Sequence, residues 1–359
     1  MAAPAFVIGW DIGGAHAKAC VLRGGQVLDV AQWPCPLWQG LQQLDAALAQ
    51  AAARWPAAWA AAGHVVTMTG EMVDLFPDRE AGVRGLAAHL AQALPTPPLF
   101  YAGEHGFCTA GDAAALWSAI ASANWRASAG WAARRVPAGM LVDIGSTTTD
   151  LIAFRGGRLL GTSLSDADRL ASGELVYHGV VRTPLCALAP RVPFRGRVLN
   201  VMHEFFATTA DVYRLTGELA PAHDQHPAAD GGAKDAPGTR QRLARMLGQD
   251  ARDASDADWL ALARAWRAAQ VAEIAGQLKR VVDAHALPAD ALFVGAGCGA
   301  FLLPDVRAAA GRAGASYLAF GRDLVPLAPD AAPGCAEWAG VGAPSVAVAL
   351  LFAMPGETR

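Results

Sequence analysis

The chain has 359 residues, 53% of them hydrophobic and 17% charged, with a formal net charge of -3 at pH 7. That length gives room for two domains with a core each, and the apolar fraction excludes a disordered chain. The slightly acidic balance offers nucleic acid and anionic membranes no general attraction, so an anion must be held by a local site.

Met1 to Gly9 carries no basic segment ahead of an apolar run, and the apolar stretch from Ala339 to Gly356 is broken by Gly340, Gly342, Pro344 and Pro355. Both features read as a soluble protein with neither export signal nor membrane span. The six cysteines are scattered without a Cys-x-x-Cys pair, a pattern of reduced core thiols that points to the cytoplasm.

In chain order, three β-like runs come first: Phe6 to Trp10, Ala19 to Leu22 and, past the Arg23-Gly24-Gly25 turn, Gln26 to Val30. A helix is predicted from about Leu41 to Ala61, a strand over His64 to Thr69, a helix near Glu80 to Leu94, a strand over Pro98 to Ala102 and a helix over Asp112 to Ala123. Asn124 and Trp125 fall at the end of that last helix, as a helix-end Asn and core indole or as substrate contacts. The opening then recurs: Met140 to Val142 leads into Asp143-Ile144-Gly145-Ser146, followed by Leu151 to Phe154, a Gly156-Gly157 turn and Leu159-Leu160. The recurrence implies an internal duplication, with a first domain over residues 1–135 and a second over 136–359 whose last helix can pack back on the first.

Residues 221–238, rich in Pro, Gly, Ala, His and Asp, read as an insertion loop or lid. A long amphipathic helix is predicted from about Asp256 to His285, with Trp259, Leu262, Trp266, Ile274, Leu278 and Val281 on one core-facing stripe and Ser255 with Asp258 as a capping box. His203-Glu204 lacks the second histidine of a zinc-protease helix and reads as a packing or surface pair. Arg242 and Arg245, three apart, read as a solvated helix face or as closers over phosphate.

Phosphate chemistry concentrates in three turns. In Asp11-Ile12-Gly13-Gly14 the missing Cβ atoms let backbone N–H groups approach an anion, Asp11 can hold Mg²⁺ directly or through water, and Lys18 lies near enough in sequence to reach the same phosphate. The turn joins two strands, which excludes both a Rossmann fingerprint and a P-loop. The second copy, Asp143 to Asp150, repeats the acid and Gly145 and adds the hydroxyls of Ser146, Thr147, Thr148 and Thr149. A third turn, with Gly295, Gly297 and Gly299, follows the apolar run from Ala291 to Phe293 and suits a nucleotide or other flat ligand.

These three motifs in this order resemble the phosphate-1, phosphate-2 and adenosine motifs of the actin, Hsp70 and sugar-kinase superfamily. The resemblance implies two duplicated α/β ribonuclease-H-like domains facing a cleft. Thr67 to Asp74, Ser122 to Trp125, Asp143 to Asp150, Phe205 to Tyr213 and Arg242 to Met246 carry a narrower resemblance. They look like the hydantoinase/oxoprolinase-related family of tetrahydromethanopterin-linked one-carbon transfer.

That family includes an alkyl transferase of methanofuran biosynthesis that joins an aminomethylfuran-methyl diphosphate to a γ-glutamyltyramine phenol. It implies small-molecule diphosphate and phenolic substrates, a homo-oligomer as an option, and metal ligands at Asp11 and Asp143. Glu71, Asp150 and His16 are the alternatives for the base that takes the phenol proton, with Lys18 assisting the leaving group. His16 stands where sugar kinases have Thr or Ser, which argues against γ-phosphate transfer; ATP or ADP binding stays an option. An ATP-dependent kinase or hydrolase and a non-catalytic nucleotide-binding regulator are the competing expectations.

Overall fold

The computed structural model describes Pro4 to Met354. Contacts divide it into two units, one built from the chain up to Leu141, Ile152–Arg169 and the chain from Leu318 onward, the other from Val142–Leu151 and Leu170–Tyr317.

The first unit is built on a six-stranded sheet: β1 (Phe6–Ile12), β2 (His16–Arg23), β3 (Gln26–Pro34), β4 (Ala62–Met68), β5 (Leu99–Tyr101) and β6 (Phe107–Thr109). Their spatial order is β3-β2-β1-β4-β5-β6. The first three strands are antiparallel, whereas β1 pairs in parallel with β4, and β4 with β5. A central strand in such a sheet is covered on both faces, and β1 accordingly buries Val7 to Ile12 without alternation. Gly24 and Gly25, at φ 58° and 78°, make the tight β2–β3 turn that requires two left-handed residues.

The helix Ala343–Ala353 is apolar on every side and buried from Ala343 to Leu351. It reaches β1 because Gly9 has no side chain; a Cβ there would strike the Ser345 carbonyl oxygen. Among the described residues no single helix is long and apolar enough to cross a membrane.

The second sheet runs β10 (Leu175–Val176), β8 (Thr149–Arg155), β7 (Ala138–Ile144), β13 (Leu292–Ala296), β14 (Tyr317–Ala319), with β9 (Arg158–Leu159) paired on β8. β11 (Arg191–Phe194) and β12 (Arg197–Asn200) form a separate antiparallel hairpin. The helix Asp256–Ala284 carries the expected capping box at Ser255 and Asp258 and buries the whole expected stripe.

Three readings are corrected by the chain's local chemistry. The helix expected over Leu41 to Ala61 stops at Arg54 and restarts as Pro56–Trp59, since Pro56 cannot continue a helix but suits a first turn. The helix expected over Asp112 to Ala123 is only the single turn Trp117–Ile120, and Asn124 begins rather than ends a helix, Asn124–Ala133. That helix buries every residue from Ala127 to Ala133, so it carries no one-sided stripe to read.

Arg242, expected on a solvated face or over phosphate, is fully buried and donates to Asp211 at 2.7 Å and to the Ala233 carbonyl at 3.0 Å. Together with Arg214 and Lys234 on Asp224, it ties down part of the 221–238 segment. His203 and Glu204 are exposed.

Candidate active site

The duplication is visible atom by atom within each unit. Gly13 N–H donates to the His16 carbonyl at 2.9 Å, and Gly145 N–H donates to the Thr148 carbonyl at 2.8 Å. The Gly156-Gly157 turn takes φ values of 58° and 79°, matching those of Gly24 and Gly25. Asp11 to Asp143, Gly13 to Gly145 and Gly24 to Gly156 are each 132 residues apart.

The next layer repeats as well. After β4, Thr69 N–H donates to the Ile12 carbonyl at 2.9 Å; after β13, Gly299 N–H donates to the Ile144 carbonyl at 2.8 Å. The Thr69-Gly70-Glu71 segment is thus the first unit's counterpart of the third glycine-rich turn, an equivalence without sequence likeness.

Within the first unit, β1 and β2 set Asp11 directly opposite Lys18, and the two charged groups stand 3.9 Å apart. His16 is buried at the start of β2. Gly70 packs under the phosphate-1 turn: a Cβ there would lie 3.2 Å from the Ile12 carbonyl oxygen and 3.3 Å from that of Gly13. This packing sets the residue before Glu71 against Gly13.

Glu71 is 1% exposed. Gly82 permits the close approach of the next helix, since a Cβ on it would strike the Glu71 backbone. Ser122 Oγ donates to Glu71 Oε1 at 2.8 Å, while Oε2, also buried, finds no hydrogen-bond partner among the described residues. Burial pushes the Glu71 carboxyl up to about 6, against the lowering effect of its hydrogen bonds. Such a group is ionised near neutrality yet basic enough to take a proton. Met72 next to it is half exposed, with its Sδ 3.5 Å from the same Ser122 Oγ.

In the second unit Ser146, Thr147 and Thr148 are half-buried at the phosphate-2 turn. Thr149 is fully buried and its hydroxyl donates to the His178 carbonyl at 2.7 Å; that donor is committed to the fold. The turn is buttressed by residues 180–182, whose N–H groups donate to the carbonyls of Gly145 and Ser146. Gly179 makes this possible, because a Cβ on it would strike the Thr147 amide.

Arg182, which the sequence reading missed, reaches Thr147 Oγ1 from the same buttress at 3.3 Å. Burial holds its guanidinium below the usual arginine range, so it is a desolvated cation at the hydroxyl-rich turn. The glycines of the third turn also have an internal use. Gly297, at φ 81°, and Gly299 are buried against Asp143 and Ile144, where side-chain carbons would collide; Gly295 lies within β13.

A divalent-metal fit can be tested on the donor set. By the 132-residue displacement, Asp150 takes in the second unit the position that Lys18 takes opposite Asp11. Asp143 therefore has an acid where Asp11 has an ammonium, a charge pattern that fits an added cation. Among the described residues no group of three His, Cys, Asp or Glu side chains could hold a metal. One or two carboxylates completed by water and phosphate oxygens suit Mg²⁺.

The two sheets with their acid-and-glycine turns give an α/β protein with the fold of the actin, Hsp70 and sugar-kinase proteins. Acetone carboxylase shares the fold, with a TM-score of 0.56 over 96% of this chain and 70% of that one at 11% identity. The hydantoinase/oxoprolinase family matches residues 63–314, and the chain belongs to that family.

Two curated relatives are similar in sequence, both named (4-{4-[2-(gamma-L-glutamylamino)ethyl]phenoxymethyl}furan-2-yl)methanamine synthase. The Methanocaldococcus jannaschii protein is 29% identical over 246 residues, 68% of this chain and 72% of its own length. The Methanococcus vannielii protein is 33% identical over 111 residues, 31% of this chain and half of its own length.

Proposed function

We propose that this protein is a transferase of methanofuran-type cofactor biosynthesis. It moves a furanylmethyl group from a diphosphate to the phenol oxygen of a γ-glutamyltyramine-like acceptor. The observation that carries this reading is the match over 246 residues to a synthase whose product name specifies a phenoxymethyl-furan linkage, an aryl ether that must be made from a phenol oxygen and a furan-bearing carbon.

The chemistry balances on this chain's residues. The carbon–oxygen bond to diphosphate breaks, the electron pair leaves with diphosphate, and the furan oxygen stabilises the cationic carbon. The phenol oxygen supplies the pair for the new bond. A free phenol, with a pKa near 10, holds its proton until bond formation is advanced; Glu71 Oε2 then receives it. Glu71 is preferred to His16 and Asp150 because its carboxyl is buried and raised to about 6, and because it follows Gly70, which packs under the phosphate-1 turn. Proton uptake requires the side chains covering Oε2 to yield to the phenol, and half-exposed Met72 is the neighbouring group able to move.

Taken unit by unit, Gly13, Gly14 and Lys18 are the groups the first unit offers to phosphate oxygens, and Gly145, Ser146, Thr147, Thr148 and Arg182 those the second unit offers. Asp143 with Asp150 in the second unit, and separately Asp11 beside Lys18 in the first, are the carboxylates each unit offers to Mg²⁺. A bound ion would neutralise part of the charge on the departing diphosphate. All six cysteines are free thiols, which supports a reducing, cytoplasmic setting.

The reading is tested by incubating the protein with the furanylmethyl diphosphate, γ-glutamyltyramine and Mg²⁺ in the absence of ATP. Mass spectrometry should find the ether. A strict ATP requirement, or no ether at all with both substrates present, contradicts it.

A further inference from the structure

We propose that Ser122 is a positioning residue for the transfer, fixing the Glu71 carboxylate so that Oε2 alone faces the acceptor's proton; this rests on the reading of Glu71 as the base.

Ser122 adopts φ 50°, a left-handed conformation that a serine rarely takes and that persists only where the surroundings impose it. It is 4% exposed, in the short link between Trp117–Ile120 and Asn124–Ala133. A glycine would relieve the backbone at no steric cost. What the serine contributes instead is its hydroxyl, 2.8 Å from Glu71 Oε1 and 3.5 Å from Met72 Sδ.

The Ser122 hydroxyl pins one carboxylate oxygen and touches the thioether beside it, alongside backbone hydrogen bonds from Glu71 and Ser122 that also favour the ionised form. The other oxygen is left with its lone pairs uncommitted among the described residues, the state a base requires before its proton arrives. A charged group whose field reaches Glu71 is Asp166, which is paired with Arg169 at 3.5 Å; Arg169 in turn lies 4.3 Å over the Trp125 ring. Neither Asp166 nor Arg169 can supply the hydrogen bond that Ser122 donates to Oε1.

The test uses the full chain with Ser122→Gly, Ser122→Ala and Glu71→Gln. Ser122→Gly loses the hydroxyl but relaxes the backbone, so it should melt no lower than the wild type. Its kcat should fall about tenfold, and the acid limb of its pH–rate profile should move up by about half to one pH unit, because a hydrogen bond that stabilised the ionised carboxylate is gone.

Ser122→Ala should show the same limb with a lower melting temperature, separating strain from hydroxyl. An unmoved acid limb in Ser122→Gly, with Glu71→Gln inactive, overturns the assignment of Ser122 and leaves the base in place. Full activity in Glu71→Gln removes the base reading and this inference with it.

Discussion

At the scale of single residues, the account turns on Glu71 and Arg182. A carboxyl whose native pKa is about 6, against an ordinary value near 4.3, opposes folding once it ionises. The sign is that of an acid with a raised pKa: the unfolded chain gives up this proton first, so native stability falls as pH climbs from about 4 to about 6. The loss amounts to about 2 kcal/mol. Glu71→Gln should therefore lower turnover by about 10²–10⁴. In urea denaturation it should gain about 2 kcal/mol on the wild type between pH 4 and pH 7, and a pH-independent difference would place the ionisation elsewhere.

Arg182→Ala should raise the KM for the proposed diphosphate substrate by about 10- to 100-fold, the cost of one charge-assisted hydrogen bond, with Arg182→Lys intermediate. Equal KM values for wild type and Arg182→Ala would remove it from the phosphate site. The Asp and Gly residues of both turns were legible in the sequence because their order and spacing repeat. Arg182 was not, because its role depends on the backbone of residues 180–182 folding onto the carbonyls of Gly145 and Ser146, and no local pattern signals that pairing.

At the scale of elements, glycines distinguish turns that need only a backbone conformation from turns that also need space. Gly24 sits at φ 58° with nothing within 4 Å of an added Cβ, so Gly24→Ala should cost about 1 kcal/mol and leave activity intact. Gly297 takes φ 81° and faces the Ile144 carbonyl and the Asp143 carboxylate. Gly297→Ala should lose about 3 kcal/mol or more in chemical denaturation, and activity with it. Similar losses for both variants would show that the third turn is not seated on the strand end that carries Asp143.

The strands and the long helix were readable from periodicity and capping. The helix Asn124–Ala133 was not, since an element buried on nearly all sides has no polar face to set its period. The repeat of the third turn at Thr69-Gly70-Glu71 was equally invisible. It is conserved in hydrogen-bond geometry, with Ile12 and Ile144 carbonyls as acceptors, and not in residue type.

At the scale of the molecule, a duplicated scaffold has kept its two acid-and-glycine turns while their surroundings diverged. The first unit places a cation, Lys18, across from its acid, and has a buried carboxyl, Glu71, in the segment that packs under its turn. The second replaces that cation with Asp150 and adds a hydroxyl-rich turn braced by Arg182. Divergence of this kind would let one fold serve the proposed reaction, in which diphosphate is released and no phosphoryl group is transferred.

The most direct measurement of that claim uses acceptor labelled with ¹⁸O at the phenol. Attack by the phenol oxygen on the furanylmethyl carbon predicts that the ether retains the label and that the released diphosphate carries none. Label appearing in phosphate or diphosphate, with an unlabelled ether, would mean that the phenol and not the furan carbon is activated, and the account of this site as an alkyl-transfer centre would be wrong.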